Sequence, residues 1–139
     1  MPTIVYSCIV DSKKEIKAEF PSGQGNLREV VSKIVNSGNF VRYAHKRSLR
    51  HKNDVIFHYA QFEEGEGFTV FCIADKDMPY YICYNMIDEV KKKTQGMNLS
   101  DSRTLKSTLS GIVVRFLGNN LFFIFEKLTD CLTIPFIMN

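Results

Sequence analysis

The stretch VIFHYAQFEEGEGFTVFCIAD, from Val55 to Asp75, holds two apolar segments separated by an acidic loop. Both segments, 55–61 and 68–75, are rich in β-branched and aromatic residues, which favour strands. The loop Glu63-Glu64-Gly65-Glu66-Gly67 combines charge with glycine and predicts a connection between them. Residues Phe68 to Ala74 are apolar at nearly every position, which is typical of a central strand covered on both faces.

Two helices are predicted after this stretch. The first follows Asp77, a residue type that caps helices, and the run Lys91-Lys92-Lys93 suits the negative end of its dipole. The second ends at Gly118-Asn119-Asn120, which is typical of a helix terminus. The apolar positions at helical spacing are Cys83, Met86, Ile87 and Val90 in the first helix and Leu105, Leu109, Ile112, Val113, Phe116 and Leu117 in the second.

A β-hairpin, a helix and a third strand are predicted before Val55. Residues 3–10 (TIVYSCIV) and 15–20 (EIKAEF) flank a polar turn, and the second segment alternates strictly between polar and apolar residues. A helix then runs to Gly38, and its start at Asn26, with Glu29 three residues later, resembles a capping box. Phe40 to His45 predicts the third strand. The element order is therefore ββαβββαα, an α+β chain.

Composition limits the class of protein. The 139 residues are 45% hydrophobic, which is enough for one globular domain with its own core. The net charge of +3 falls short of the basic signature of a nucleic-acid-binding domain. No secretory signal begins the sequence and no apolar run reaches the ~20 residues of a membrane span, so a cytosolic protein is expected. The four cysteines form no C-x-x-C, which predicts buried thiols rather than a zinc site: Cys8, Cys72, Cys83 and Cys131.

Motifs of catalysis and of cofactor binding are absent from the sequence. There is no G-x-S-x-G, no H-E-x-x-H and no recognisable carboxylate pair. Gly23-x-Gly25 is too short for a dinucleotide or phosphate loop and predicts a turn. His58 lies between Phe57 and Tyr59, which predicts a buried imidazole bonded to a nearby carbonyl rather than a ligand or base. The sequence therefore predicts no catalytic residue, no metal and no cofactor.

The positive charge is concentrated between the third and fourth predicted strands. The connection from Lys46 to Asp54 and the strand before it supply the basic patch Arg42, Lys46, Arg47, Arg50 and Lys52. The patch suits an anionic membrane surface or an acidic partner. Near a charged membrane each basic group contributes an attraction of ~1 kcal/mol. The alternative is a solvated loop that keeps a sheet edge soluble.

Four segments of the predicted domain stand out together: Val41 to His45 (VRYAH), Val55 to Tyr59 (VIFHY), Phe71 to Asp77 (FCIADKD) and Ile87 to Lys93 (IDEVKKK). In this order they resemble the longin domains of vesicle SNAREs of the synaptobrevin type. The resemblance covers residues 3–118, within a domain taken as residues 1–118, and it implies a profilin-like, five-stranded antiparallel sheet with one helix on one face and two on the other. It also implies a non-catalytic domain whose hydrophobic groove binds a SNARE helix or a trafficking adaptor. By position, the groove residues are Leu27, Val30, Ile34, Val41 and Tyr43.

Two features depart from the family. The Lys46 to Asp54 connection is longer and more basic than usual, and the apolar tail 119–139 carries only a shortened or degenerate SNARE region. The alternatives left open are a profilin-like subunit of a coat adaptor or tethering complex, a small-GTPase-binding module and, last, a small enzyme. The leading expectation is a cytoplasmic regulator of vesicle-mediated transport and membrane fusion, peripheral to vesicle or endomembrane surfaces.

Overall fold

The fold combines a β-sheet with helices in a computed structural model, which describes residues 3–37, 46–51, 54–62 and 67–119. Its elements are β1 (Ile4–Asp11), β2 (Ile16–Phe20), α1 (Gly25–Val35), β3 (Arg47–His51), β4 (Val55–Phe62), β5 (Phe68–Asp75), α2 (Tyr80–Thr94) and α3 (Ser102–Asn119). The strands form one antiparallel sheet in the order β2-β1-β5-β4-β3. The predicted order ββαβββαα and the α+β class are confirmed.

The sheet carries a core on each face. β5 lies at its centre and is buried from Phe68 to Ala74, as its apolar sequence predicts. Because successive side chains of a strand point to opposite faces, β5 contributes to both cores. Phe71 packs in the core covered by α1, and Cys72 packs in the core covered by α2 and α3. The expected arrangement of one helix on one face and two on the other is confirmed.

The third strand lies further along the chain than the sequence predicts. Phe40 to His45, the predicted strand, falls outside the described residues. β3 occupies Arg47–His51, so the prediction that this part of the Lys46 to Asp54 connection is a loop is wrong. Its sequence RSLRH has no β-branched residue. The strand forms because five consecutive residues pair with β4, from Arg47 opposite Tyr59 onward, and this non-local pairing outweighs local propensity.

The predicted starts of α1 and α2 are also wrong. α1 begins at Gly25 with Gln24 at the N-cap position and no side-chain capping bond, so Asn26 and Glu29 form no capping box. α2 begins at Tyr80 with Pro79 at its N-cap position. Proline disfavours helical geometry in the residue before it, so the helix starts after Pro79 rather than at Asp77. The predicted stop at Gly38 falls outside the described residues.

Candidate interaction surface

α1 carries apolar residues at two levels of burial. Val31 and Val35 are buried in the core beneath the helix. Leu27, Val30 and Ile34 pack against the same core but stay half-buried. Since part of each of these three side chains still faces solvent, the helix leaves an apolar rim that a partner can cover.

Polar contacts hold α1 to the hairpin. The Tyr6 hydroxyl of β1 donates a 2.7 Å hydrogen bond to Glu19 of β2, and the other oxygen of Glu19 lies 3.4 Å from the Arg28 guanidinium of α1. Burial raises the pKa of Tyr6 well above its usual value, and the neighbouring Cys8 thiol and the bond to Glu19 raise it further. Tyr6 therefore remains a neutral donor at physiological pH. The contacts of Glu19 with Tyr6 and Arg28 hold α1 in place on the sheet, and so they set the orientation of its half-buried residues.

β3 adds an exposed apolar residue on the same side of the sheet. Leu49 is paired directly with Phe57 of β4, and paired side chains in an antiparallel sheet share a face. Phe57 is buried in the α1 core, so Leu49 lies on the α1 side, where it is 44% exposed. The name α1-side surface is used below for the following four residues: Leu27, Val30, Ile34 and Leu49.

The strand residues predicted for the groove, Val41 and Tyr43, fall outside the described residues, and their role stays a prediction. The sequence analysis missed Leu49 because it placed that residue in a loop. Assigning RSLRH to a strand would have revealed Leu49. In a strand, Leu49 points to one face of the sheet, whereas Ser48 and Arg50 point to the opposite face.

The basic patch is divided by the sheet. Arg42 and Lys52 fall outside the described residues. Lys46 forms a 2.9 Å ion pair with Asp88 of α2. Arg47 and Arg50 are both exposed on β3, but Arg47 lies on the α1 side and Arg50 on the α2 side because they are an odd number of residues apart. Of the described residues of the basic patch, Arg47 is the one that lies on the same face of β3 as Leu49.

His58 is buried, as predicted, but its partner is a side chain. Nδ1 of His58 lies 2.6 Å from the Ser48 hydroxyl of β3, and that hydroxyl lies 2.6 Å from the Tyr84 hydroxyl of α2. The prediction that His58 bonds to a carbonyl is therefore wrong for Nδ1, whose partner is the Ser48 hydroxyl. Cys8, Cys72 and Cys83 are buried free thiols, as expected, whereas Cys131 falls outside the described residues.

Comparison with solved structures finds chains of similar fold. The chain is similar to the longin domain of the yeast R-SNARE Nyv1p, with a TM-score of 0.50, 9% sequence identity, and coverage of 87% of this chain and 93% of that chain. The chain has a longin fold. At this identity the likeness concerns the fold alone. No protein-family model and no curated protein matches the sequence.

Two further findings bear on chemistry within the longin fold. Across the described ranges, no three His, Cys, Asp or Glu side chains come close enough together to hold a metal ion. In the same ranges, no helix has the length and apolar character needed to cross a membrane. The proposal below is assigned to the α1-side surface because its apolar residues stay partly exposed.

Proposed function

We propose that this chain is a non-catalytic regulatory domain in vesicle-mediated transport, which binds a SNARE helix or a trafficking adaptor through the α1-side surface. The longin fold supports the broad assignment to trafficking. The binding mode is a helix or short apolar segment laid against the rim of α1, with Val41 and Tyr43 as additional contacts from the chain between α1 and β3.

The observation that carries this proposal is the incomplete burial of apolar residues on one face. Leu27, Val30 and Ile34 are half-buried at helical spacing, and Leu49 is 44% exposed on the same side of the sheet. A partner that covers these side chains removes apolar surface from water, which contributes a favourable free energy of ~25 cal/mol per Å² buried. Arg47 at the edge of the surface suits an occupant with acidic residues beside its apolar ones.

The test measures binding of a fluorescein-labelled synthetic peptide with the apolar heptads of an R-SNARE motif. Leu49→Ser is the variant, because Leu49 is exposed enough to be replaced without opening the core. Val114→Ser is the matched control, since Val114 is 56% exposed on α3, the helix that covers the opposite face. We expect Leu49→Ser to weaken binding by about tenfold or more, the size typical of a central contact residue, and Val114→Ser to leave it unchanged.

Thermal melts of the wild type and the two variants show whether any loss of affinity results from unfolding rather than from a lost contact. Equal affinity for wild type and both variants would place the peptide away from the α1-side surface. Absence of binding by the wild type would contradict the SNARE-helix form of the proposal, and an adaptor would then be the partner to test with the same pair of variants.

A further inference from the structure

A buried chain of polar groups lies on the α2 side of the sheet, away from the α1-side surface. Ser48 of β3 contacts both His58 and Tyr84, and the His58 ring packs edge-on against the rings of Tyr80 and Tyr84, at 4.7 and 5.6 Å. His58 is fully buried, and no hydrogen-bond partner reaches its Nε2 atom among the described residues. A nitrogen in this state is available to receive a proton from a neighbouring group.

Two cysteines complete this cluster. Cys72 of β5 is paired directly with His58 of β4, so the two side chains share the α2 side of the sheet. Cys83 of α2 packs in the same buried core, and the two thiols are close enough for each to shift the pKa of the other. The fold therefore brings two thiols from a central strand and a covering helix together, next to an imidazole.

The environment favours the thiolate at Cys83 only. The Cys72 thiol and, to a smaller extent, the neighbouring His58 lower the pKa of Cys83 to about 6, against the opposing effect of burial. Cys83 also lies near the N-terminal end of α2, where no acidic residue of the first turn offsets the positive end of the helix dipole. Burial instead raises the pKa of Cys72 and of Cys8 well above the usual range.

We propose that Cys83 and Cys72 form a peroxide-reactive dithiol that closes to a disulfide between α2 and β5. This inference does not rest on the proposed partner binding. In the first step Cys83 passes its proton to Nε2 of His58, and the resulting thiolate attacks one oxygen of hydrogen peroxide. The O–O bond breaks, and the leaving hydroxide takes that proton from His58 to become water.

The second step consumes the other thiol. The Cys72 sulfur attacks the sulfenic sulfur of Cys83, the S–O bond breaks, and the departing hydroxide takes the Cys72 proton as a second water. Two thiols are oxidised and one peroxide is reduced, so no other reactant is required. The product ties the start of α2 to the middle of the sheet.

Peroxide reaches the buried pair through the first turn of α2. That turn begins after Pro79 and has no side-chain capping bond. Its residues Tyr80 and Tyr81 are 45% and 66% exposed, and opening the turn moves the Tyr80 ring away from His58. Uncapped helix termini fray at low cost, and hydrogen peroxide is small and uncharged enough to use such an opening.

The experiment treats the full-length chain carrying Cys131→Ser with graded hydrogen peroxide at pH 7 and maps thiols and disulfides by mass spectrometry of unreduced peptides. We expect a Cys72–Cys83 disulfide while Cys8, the internal control, stays reduced, with Cys83 consumed at least roughly tenfold faster than Cys8. In the Cys72→Ser variant, dimedone should trap a sulfenic acid at Cys83.

The pH profile of the reaction identifies the reacting group. The titratable groups around Cys83 are Cys72 from β5 and His58 from β4, with Tyr80 and Tyr84 of its own helix packed on His58. The rate should rise with a midpoint near pH 6 in the folded protein and near the ~8.5 of a free thiol in urea. Equal consumption of Cys83 and Cys8, or a disulfide that forms in urea only, would overturn the proposal.

Discussion

Ser48 joins three elements through one hydroxyl group. The hydroxyl lies 2.6 Å from His58 of β4 and 2.6 Å from Tyr84 of α2, and Ser48 itself belongs to the edge strand β3. A hydroxyl accepts one hydrogen bond while donating another, so Ser48 satisfies both partners at once. Without it, His58 would be fully buried with neither ring nitrogen bonded.

Ser48→Ala should destabilise the protein by ~1–3 kcal/mol, the cost of leaving buried polar groups unsatisfied. Urea denaturation followed by circular dichroism measures the free energy of unfolding. Ser107→Ala, at an exposed position of α3, is the control and should change stability by less than ~0.5 kcal/mol. A Ser48→Ala protein as stable as this control would show that water replaces the hydroxyl.

The sequence predicts the state of His58 but not its partner. Flanking aromatic residues indicate burial, which is a local property. The bond to Ser48 depends on β3 being a strand in register with β4, and that register brings together residues ten positions apart. The proximity of Cys72 and Cys83 cannot be predicted from the sequence either, because it depends on how α2 packs on the sheet.

At the scale of elements, prediction succeeds where local sequence and tertiary context agree. β5 is mostly apolar and rich in β-branched and aromatic residues, which suits its central position in the sheet. β3 has the composition of a loop and forms at the edge, where a single neighbour decides its conformation. The longin resemblance implies Leu27, Val30 and Ile34 as groove residues, whereas the sequence analysis misses Leu49 along with its strand.

The start of α3 depends on one carboxylate. Asp101 accepts hydrogen bonds from the Thr104 amide, at 3.2 Å, and from the Thr104 hydroxyl, at 2.7 Å. These bonds hold the pKa of Asp101 below its usual value. Because the folded pKa is the lower one, the contribution of Asp101 to stability is complete above the usual Asp value of ~3.9 and declines as pH falls through the folded pKa.

Asp101→Ala should therefore lower the Tm at pH 7, and the gap to wild type should narrow below about pH 4. Melts from pH 7 to pH 3 measure this gap. Asp77→Ala is the control, because Asp77 lies in the exposed turn after β5 and caps no helix. A gap for Asp101→Ala that stays constant with pH would mean that the ionised carboxylate contributes nothing beyond helix propensity.

At the scale of the whole molecule, the described part of the chain forms two cores, one on each face of the sheet. The last core positions of α3 are Ile112 and Val113, at 5% and 1% exposure. The segment 121–139, by contrast, begins with the apolar run LFFIF from Leu121 to Phe125. Burying several such side chains yields ~1.5–3 kcal/mol each, so this run has a strong tendency to dock on an apolar surface. We propose the α1-side surface as its docking site, giving a self-closed state.

Deleting residues 121–139 should then leave a folded monomer and raise its affinity for the R-SNARE peptide, because the competing occupant of the α1-side surface is gone. Deleting 131–139 alone is the matched control: it keeps the run from Leu121 to Phe125, and affinity should stay at the full-length value. Thermal melts, sedimentation and fluorescence anisotropy on the three proteins give the answer. Loss of cooperative melting on the longer deletion would assign the tail to a core. A full-length dimer that becomes a monomer on that deletion would make the tail an oligomerisation element, since the apolar run would then be buried between two chains rather than within one.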